Sequence, residues 1–163
     1  MNAMILQTLQ DFAKDSQPAM SRLCNMLSAL YWMEEGVSWS GLYFSNPDGS
    51  FYLGPFQSKP ACMIIEAHNG VIGSCADQQQ TLIVDDVHAF AGHIACDPAS
   101  KSEVVIPLFD QEKLIAVLDL DSDQPAYFHD WSPEQTENLQ QLFENVLLQT
   151  FWQISKRQVV PHI

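Results

Sequence analysis

The sequence predicts an α+β fold in which helices at both ends of the chain flank a central, mostly antiparallel sheet. Three observations support this prediction. Apolar residues recur at helical spacing near both termini. The middle of the chain instead holds short apolar and aromatic runs between turn signals. The 163 residues are 47% hydrophobic, so one folded domain spanning 1–163 can bury its own core.

Two helices are predicted within residues 1–35, with a break near Asp15–Pro18. Ser16 is placed to cap the second helix, with Pro18 in its first turn. The second helix carries an apolar stripe made of Met20, Leu23, Cys24, Leu27, Leu30 and Tyr31. Because Cys24 lies on this stripe, we expect its thiol to belong to the core.

The sheet and its loops are predicted to occupy residues 37–131. Asn46–Gly49 reads N-P-D-G, which is a strong turn signal between two strands. A short helix is expected at Gly70–Gln79, and Asp110–Lys113 joins the clearest hairpin. The predicted strands are Val37–Phe44, Ser50–Leu53, Ala61–Glu66, Thr81–Val84, Ser102–Phe109 and Leu114–Asp121.

A C-terminal helix is predicted over residues 132–155. Ser132 is a suitable N-cap, and Pro133 is favourable in the first turn because the first helical N–H needs no acceptor. Glu134 and Gln135 follow, so a capping box can close this end of the helix. The pattern therefore predicts a well-defined start for the last element.

Charge and composition exclude several classes of partner. Twenty acidic residues against seven Lys and Arg give a formal net charge of −13. Nucleic acids and anionic lipids both require basic surface, so neither is an expected partner. The chain start lacks the basic residues and long apolar run of a signal peptide, and no apolar run reaches the roughly 18 residues of a membrane span. We therefore expect a cytoplasmic protein.

Thiols are the groups most able to carry chemistry in this chain. Cytosolic proteins rarely carry structural disulfides, so each thiol is a buried side chain, a metal ligand or a redox group. Cys96 is the leading candidate for a reactive thiol, because it lies in the polar segment between Asp85 and Glu103 and the nearby His93 can stabilise a thiolate. The four cysteines are Cys24, Cys62, Cys75 and Cys96.

Cys62 is the second candidate. It follows Lys59-Pro60-Ala61, which places a cation close in sequence. Two loop cysteines can meet in space and exchange through a sulfenic acid or a disulfide. The spacing of Cys62 and Cys96 permits this exchange and does not require it.

A metal site is the competing interpretation of the same loop. His88, His93 and Cys96 are five and three residues apart, which brings three ligand types into one segment. The spacing matches no standard zinc motif. The fourth ligand of a tetrahedral site would come from Asp85, Asp86 or Cys62.

Three acidic residues lie unusually within or at the ends of apolar strands. Asp119 and Asp121 share one face of the second hairpin strand, because side chains alternate along a strand. Glu103 joins them only if the hairpin pairs positions that sum to 224, which calls for a loop with an odd number of residues. If the three cluster, burial and like charge raise at least one pKa and make a general acid. If they do not, they are strand-end acids that face water.

Several of these segments closely resemble the free methionine-R-sulfoxide reductases, which are built as a single GAF domain. The matching segments are G-P-F-Q-S-K-P-A-C at 54–62, the block from D-V-H to V-I-P-L at 86–108, and V-L-D-L-D-S at 117–122. W-S-G-L-Y at Trp39–Tyr43 fits the W-x-G-F-Y pattern of that family. The resemblance covers roughly residues 37–131.

The resemblance implies reduction of free methionine (R)-sulfoxide, with no metal or bound cofactor. In matching positions, Cys96 would be the nucleophile that attacks the sulfoxide sulfur. Glu103 and Asp121 would hydrogen-bond or protonate the sulfoxide oxygen. Cys96 would become a sulfenic acid, and Cys62 would condense with it to a disulfide that thioredoxin reduces.

The resemblance also assigns the substrate pocket. Trp39 and Tyr43 would line it around the methyl group and side chain of the substrate. Asp119 would help to fix the substrate by binding the ammonium group of the substrate. A homodimer is compatible with the family, and the sequence leaves the oligomeric state open.

The chain departs from the family pattern at one position. Family members typically read G-V-C-G where this chain reads G-V-I-G, so Ile72 replaces a third redox cysteine. Cys75 lies three residues later on the same predicted helix and is either an auxiliary thiol or a core thiol. The alternative function is therefore a non-catalytic GAF domain that senses or binds a small molecule.

Overall fold

The computed structural model describes residue 1 and residues 3–92 and 96–157. Its strands form one six-stranded sheet in which every neighbouring pair is antiparallel, in the order β3-β2-β1-β6-β5-β4. This confirms the predicted α+β class. The helices are α1 (Ala3–Lys14), α2 (Ala19–Met33), α3 (Gly70–Gln78) and α4 (Pro133–Arg157). The strands are β1 (Trp39–Ser45), β2 (Phe51–Gln57), β3 (Ile64–Ile65), β4 (Leu82–Val84), β5 (Ser102–Asp110) and β6 (Lys113–Ser122).

The sheet separates two apolar cores. On one face, α1, α2 and α4 pack over alternate residues of the central strands, such as Leu42, Val104 and Leu118, which are fully or almost fully buried. On the other face, α3 and the long loops cover a smaller cluster that includes Val105 and Val117. Because both faces of β1, β5 and β6 are covered, most residues of these strands are buried.

The predicted cap of α2 is wrong. The helix begins at Ala19, and its N-cap is Pro18, which forms no side-chain capping bond. The backbone N–H of Ala19 instead donates to the side-chain oxygen of Gln153 on α4, at 2.9 Å. A tertiary contact thus supplies the acceptor that a local Ser16 cap was expected to supply.

The buried stripe of α2 is also rotated from the predicted one. Met20 is 37% exposed and Cys24 is only partly buried, so the expectation of a core thiol at Cys24 is wrong. Arg22 is buried instead, and its guanidinium donates to the carbonyl of Ala13 at the end of α1, at 2.9 Å. Because that carbonyl lies near a helix end and needs a donor, a charged residue takes a place in the core.

In the β5–β6 hairpin, the pairs formed by residues 102–108 of β5 have residue numbers that sum to 224, as the clustering of the acids requires, but the loop differs from the predicted one. Asp110 pairs with Lys113, so the loop has two residues, not an odd number. Leu108 nevertheless pairs with Ala116, because the ladder shifts between Leu108 and Phe109 and leaves Ile115 as an extra residue on β6. This β-bulge brings Glu103 opposite Asp121.

The predicted capping box of α4 is confirmed. The N–H of Gln135 donates to Ser132 Oγ at 3.3 Å, and the N–H of Ser132 donates to Gln135 Oε1 at 2.8 Å. The helix starts at Pro133 and extends two residues beyond the predicted end, to Arg157. Within the described part of the chain, no helix has the length and hydropathy that a membrane crossing requires.

Candidate active site

A cleft opens on the sheet face opposite the terminal helices. Strands β1, β5 and β6 form its floor, the first turn of α3 forms one wall, and the loops around 59–62 and 96–100 form its rim. Sequence-predicted residues from distant parts of the chain meet here. The lining includes Trp39, Tyr43, Lys59, Asn69, Gly70, Ile72, Cys96, Asp97, Ser100, Glu103, Asp119 and Asp121.

Cys62 and Cys96 form a disulfide, with their Cα atoms 5.5 Å apart across 34 residues of sequence. The fold therefore brings the two loop cysteines together. Beside the disulfide, Lys59 Nζ lies 2.9 Å from Asp97 Oδ2, so an ion pair also links the two loops. This hydrogen bond from Lys59 holds the pKa of Asp97 below its ordinary value.

The three strand acids cluster under the cleft. Asp119 and Asp121 point to the cleft face of β6, and Glu103 enters from β5 opposite Asp121. Glu103 and Asp119 are each only 6% exposed. The interpretation that these acids face water is therefore wrong for Glu103 and Asp119, whereas Asp121 is half-buried.

Burial raises the pKa of all three carboxyl groups. For Glu103, desolvation acts with the charge of Asp121, and for Asp119 it acts with the charges of Glu103 and Asp121. Desolvation raises the pKa of Asp121 to about 6, opposed by a hydrogen bond from Ser100. The side chains of Glu103 and Asp119 also interact directly with each other, which adds to the coupling of the two groups. Protonated carboxyl groups therefore persist in this cluster to a higher pH than they would in water.

Two details of the carboxyl cluster were not predicted. Ser100 Oγ donates to Asp121 Oδ1 at 2.6 Å, and Ser100 is itself buried. Asp119 Oδ1 is buried without a hydrogen-bond partner among the described residues, although a buried carboxylate oxygen normally has one. The sequence signal for Ser100 is its position four residues after Cys96. This spacing places Ser100 in the same loop as Cys96, and that loop lies over the sheet.

The aromatic floor of the cleft comes from β1. The rings of Trp39 and Tyr43 lie on the same face, with centroids 6.0 Å apart, and Trp39 stacks on Phe56 at 5.7 Å. Gly41 lies between them, and a Cβ there would come within 2.1 Å of the Trp39 ring. The glycine in W-S-G-L-Y therefore allows the indole to lie flat across the strand.

Both aromatic side chains also reach the rim. Tyr43 Oη donates to the backbone carbonyl of Cys62 at 2.9 Å, and Trp39 Nε1 donates to that of Lys59 at 3.1 Å. Burial, reinforced by the three nearby carboxyl groups, raises the pKa of Tyr43, so its hydroxyl keeps its proton. The floor is thus bonded directly to the loop that carries Cys62.

The remaining candidate thiol lies beneath the cleft. Cys75 is fully buried on α3, and its thiol donates to the carbonyl of Val105 at 3.6 Å. Burial raises the pKa of Cys75 to about 12, with smaller effects from Asp119 and Glu103. Ile72, one turn earlier, is 5% exposed and lines the cleft. The α3 wall therefore presents an apolar side chain at the position where the resemblance implies a third redox cysteine.

The metal-site interpretation finds no support in the part of the chain that the structure covers. No group of three or more His, Cys, Asp or Glu side chains there is arranged to hold a metal ion. His93, one of its three proposed ligands, lies outside the described residues.

Comparisons with known sequences match most of the chain. The sequence model of the GAF domain matches residues 9–148. The chain is 39% identical over 131 residues to the free methionine-R-sulfoxide reductase of Escherichia coli (strain K12), covering 80% of this chain and 79% of that protein. The reductase of the same name from Saccharomyces cerevisiae is 35% identical over 125 residues, covering 71% and 69%.

Solved structures give the same result for the fold. The free methionine-R-sulfoxide reductase from Neisseria meningitidis, solved in complex with its substrate, aligns with a TM-score of 0.75 at 29% identity, over 96% of this chain and 89% of that chain. A structure described as a GAF sensor protein from Burkholderia vietnamiensis aligns with a TM-score of 0.79 at 36% identity, over 91% and 95%.

Proposed function

Because this chain belongs to the GAF-domain family of free methionine-R-sulfoxide reductases, we propose that it reduces free L-methionine (R)-S-oxide to L-methionine. One observation carries the proposal: the Cys62–Cys96 disulfide lies at the rim of a cleft whose floor holds three carboxyl groups with raised pKa values. Sulfoxide reduction needs both a nucleophilic sulfur and a proton donor for the departing oxygen.

Cys96 is the nucleophile in this proposal. Its reduced thiolate attacks the sulfoxide sulfur, and protonation of the oxygen allows the S–O bond to break. Methionine leaves, and the oxygen is retained in net terms as a sulfenic acid on Cys96. The sulfur of methionine is reduced by two electrons, and the sulfur of Cys96 is oxidised by two.

The buried acids supply the proton and hold the substrate. Glu103 and Asp121 face each other across β5 and β6, and their raised pKa values suit general acids at neutral pH. Asp119 Oδ1 has no partner among the described residues, which suits it to accept a hydrogen bond from the substrate ammonium. The first turn of α3 offers backbone N–H groups without intrahelical acceptors to the substrate carboxylate. Trp39 and Tyr43 contact the methyl group and side chain.

Cys62 is the resolving thiol. It displaces water from the Cys96 sulfenic acid and forms the disulfide. Cys75 is unsuited to this step, because a fully buried thiol with a strongly raised pKa forms little thiolate. Ile72 in place of the family cysteine therefore leaves one resolving thiol.

Thioredoxin completes the cycle in this proposal. Its dithiol becomes a disulfide as the Cys62–Cys96 bond is reduced to two thiols, so electrons and protons balance. The proposed site of action is the cytoplasm, where thiols are kept reduced.

The test is NADPH consumption with thioredoxin and its reductase, with the (R) and (S) epimers of free methionine sulfoxide supplied separately. We expect turnover with the (R) epimer alone, and loss of that turnover in Cys96→Ser. Cys24→Ser is the matched control, because Cys24 is a partly buried thiol on α2, in the helical layer outside the cleft.

Absence of methionine release with either epimer, even in a single turnover of the reduced protein, would contradict the enzyme proposal. That outcome would favour the second candidate, a GAF domain that binds a small molecule without turnover. The similarity to the Burkholderia vietnamiensis sensor and the presence of Ile72 in the cleft wall favour that candidate.

A further inference from the structure

The segment that carries Cys62 has no helix or strand to hold it between the end of β2 at Gln57 and the start of β3 at Ile64. Ser58, at its beginning, has a φ of 102°, so the chain leaves β2 by a sharp change of direction. Ordering such a segment costs conformational entropy at each residue. Contacts from outside the segment must therefore fix the position of the Cys62 sulfur.

Two of these contacts come from the cleft floor. Tyr43 Oη bonds the carbonyl of Cys62 itself, at 2.9 Å, and Trp39 Nε1 bonds the carbonyl of Lys59, at 3.1 Å. Both donors belong to side chains that are at most 5% exposed and stack on each other, so they are rigid reference points on β1. Together they hold both ends of residues 59–62.

A third contact joins the same segment to the loop of the other cysteine. Lys59 Nζ pairs with Asp97 Oδ2 at 2.9 Å, one residue from Cys96. This pair is largely exposed on the lysine side, and exposed pairs contribute little, so the two aromatic donors restrain residues 59–62 more strongly than the ion pair does. Just beyond this stretch, the N–H of Leu53 on β2 donates to the carbonyl of Met63 at 3.0 Å.

We propose that Tyr43 and Trp39 are positioning residues for disulfide formation, because their side-chain donors hold the Cys62 segment over Cys96. This inference rests on the proposed function only where it concerns formation of the disulfide during turnover. In disulfide formation the thiol of Cys62 attacks the sulfenic sulfur of Cys96, the S–O bond breaks, and one water leaves. Cys62 is oxidised as the Cys96 sulfur is reduced from the sulfenic acid to the disulfide level. Holding the segment raises the effective concentration of one thiol near the other.

The test measures the effective concentration of the Cys62–Cys96 pair at equilibrium with reduced and oxidised glutathione. No methionine sulfoxide is present, so the result is independent of the proposed activity. We expect Tyr43→Phe, which keeps the ring and removes the donor, to lower the effective concentration about fivefold, the equivalent of one hydrogen bond of about 1 kcal/mol. Trp39→Phe should lower it by a similar factor.

Tyr127→Phe is the matched control. The hydroxyl of Tyr127 also donates a partly buried hydrogen bond, to Glu34 Oε1 at 2.5 Å. Tyr127 lies outside the cleft lining. Its loss should leave the effective concentration at the wild-type value, even if it lowers the thermal stability. Equal effective concentrations in Tyr43→Phe, Trp39→Phe and Tyr127→Phe would overturn the inference. A selective decrease in the two cleft variants would support it, whether or not the protein reduces methionine sulfoxide.

Discussion

At the scale of single residues, Ser100 has a contact that its sequence position barely indicates. Its hydroxyl donates a 2.6 Å hydrogen bond to Asp121 and so favours the charged form of a carboxyl that burial drives toward the neutral form. Ser100 belongs to the same loop as Cys96, so the nucleophile and the proposed acid are joined through this bond. We expect Ser100 to tune the protonation of Asp121.

Ser100→Ala should raise the pKa of Asp121, because the opposing hydrogen bond is lost. If Asp121 donates a proton in the reaction, the alkaline limb of the kcat/KM profile should move to higher pH, while the maximum falls about tenfold through loss of a hydrogen bond to a charged group. The measurement is the pH dependence of kcat/KM for free methionine (R)-sulfoxide. Ser100→Thr should restore the wild-type profile, and an unshifted limb in Ser100→Ala would contradict this role.

Residue types indicated the chemistry of the site, and tertiary structure determined the contacts. Cys62 and Cys96 are candidates from their sequence context, the resemblance implies that they pair, and the disulfide between them agrees with that pairing. The burial of Glu103 could not be predicted, because it depends on a bulge at Ile115 that no local pattern marked. The Ser100 bond likewise requires the loop to fold back on β6, which is a long-range event.

Among the helices, local sequence signals predict the start of a helix correctly where the acceptor that caps its first N–H groups is also close in sequence. The start of α4 is correct because Ser132 and Gln135 complete each other's hydrogen bonds. The start of α2 was assigned the wrong cap because its acceptor comes from Gln153, far away in sequence. The same contrast explains the hairpin, whose strands were predicted and whose register was not.

Ser132→Ala should destabilise the protein by about 1 kcal/mol, since it removes the side-chain acceptor at the N-terminus of α4. For a chain of this size the expected decrease in Tm is about 2–4 °C. Thermal unfolding followed by circular dichroism measures this change. Ser155→Ala, which removes an exposed hydroxyl in the last turns of the same helix, should have almost no effect. Equal changes in the two variants would show that the capping box contributes nothing.

At the scale of the whole molecule, the buried carboxyl groups make stability depend on pH. Their pKa values are higher in the folded than in the unfolded state. At a pH between the two pKa values, the folded protein therefore binds more protons than the unfolded chain does. Their favourable contribution is complete below pH about 4, the ordinary carboxyl range, and is lost as pH rises through the folded-state pKa, about 6 for Asp121. The oxidised protein should therefore lose stability from pH 5 to pH 8.

Asp119→Asn should reduce that loss, because the amide cannot ionise inside the cleft. Urea unfolding of the oxidised protein at pH 5 and pH 8 measures the difference, and the variant should lose less of its stability between these two pH values than the unsubstituted protein loses. Glu137→Gln, on an exposed position of α4, is the control for removing one negative charge. If the two variants show the same pH dependence, burial of Asp119 is not its cause.

The division of the molecule by its sheet has an evolutionary consequence. The cleft side holds the three acidic side chains and the smaller apolar core, whereas the side covered by α1, α2 and α4 holds the larger apolar core. Substitutions in that helical layer can add stability without touching the cleft, and added stability makes further changes in the cleft tolerable. The pocket of this protein can therefore diversify toward other small ligands while the opposite layer preserves the fold, which makes the chain a suitable starting scaffold for directed evolution.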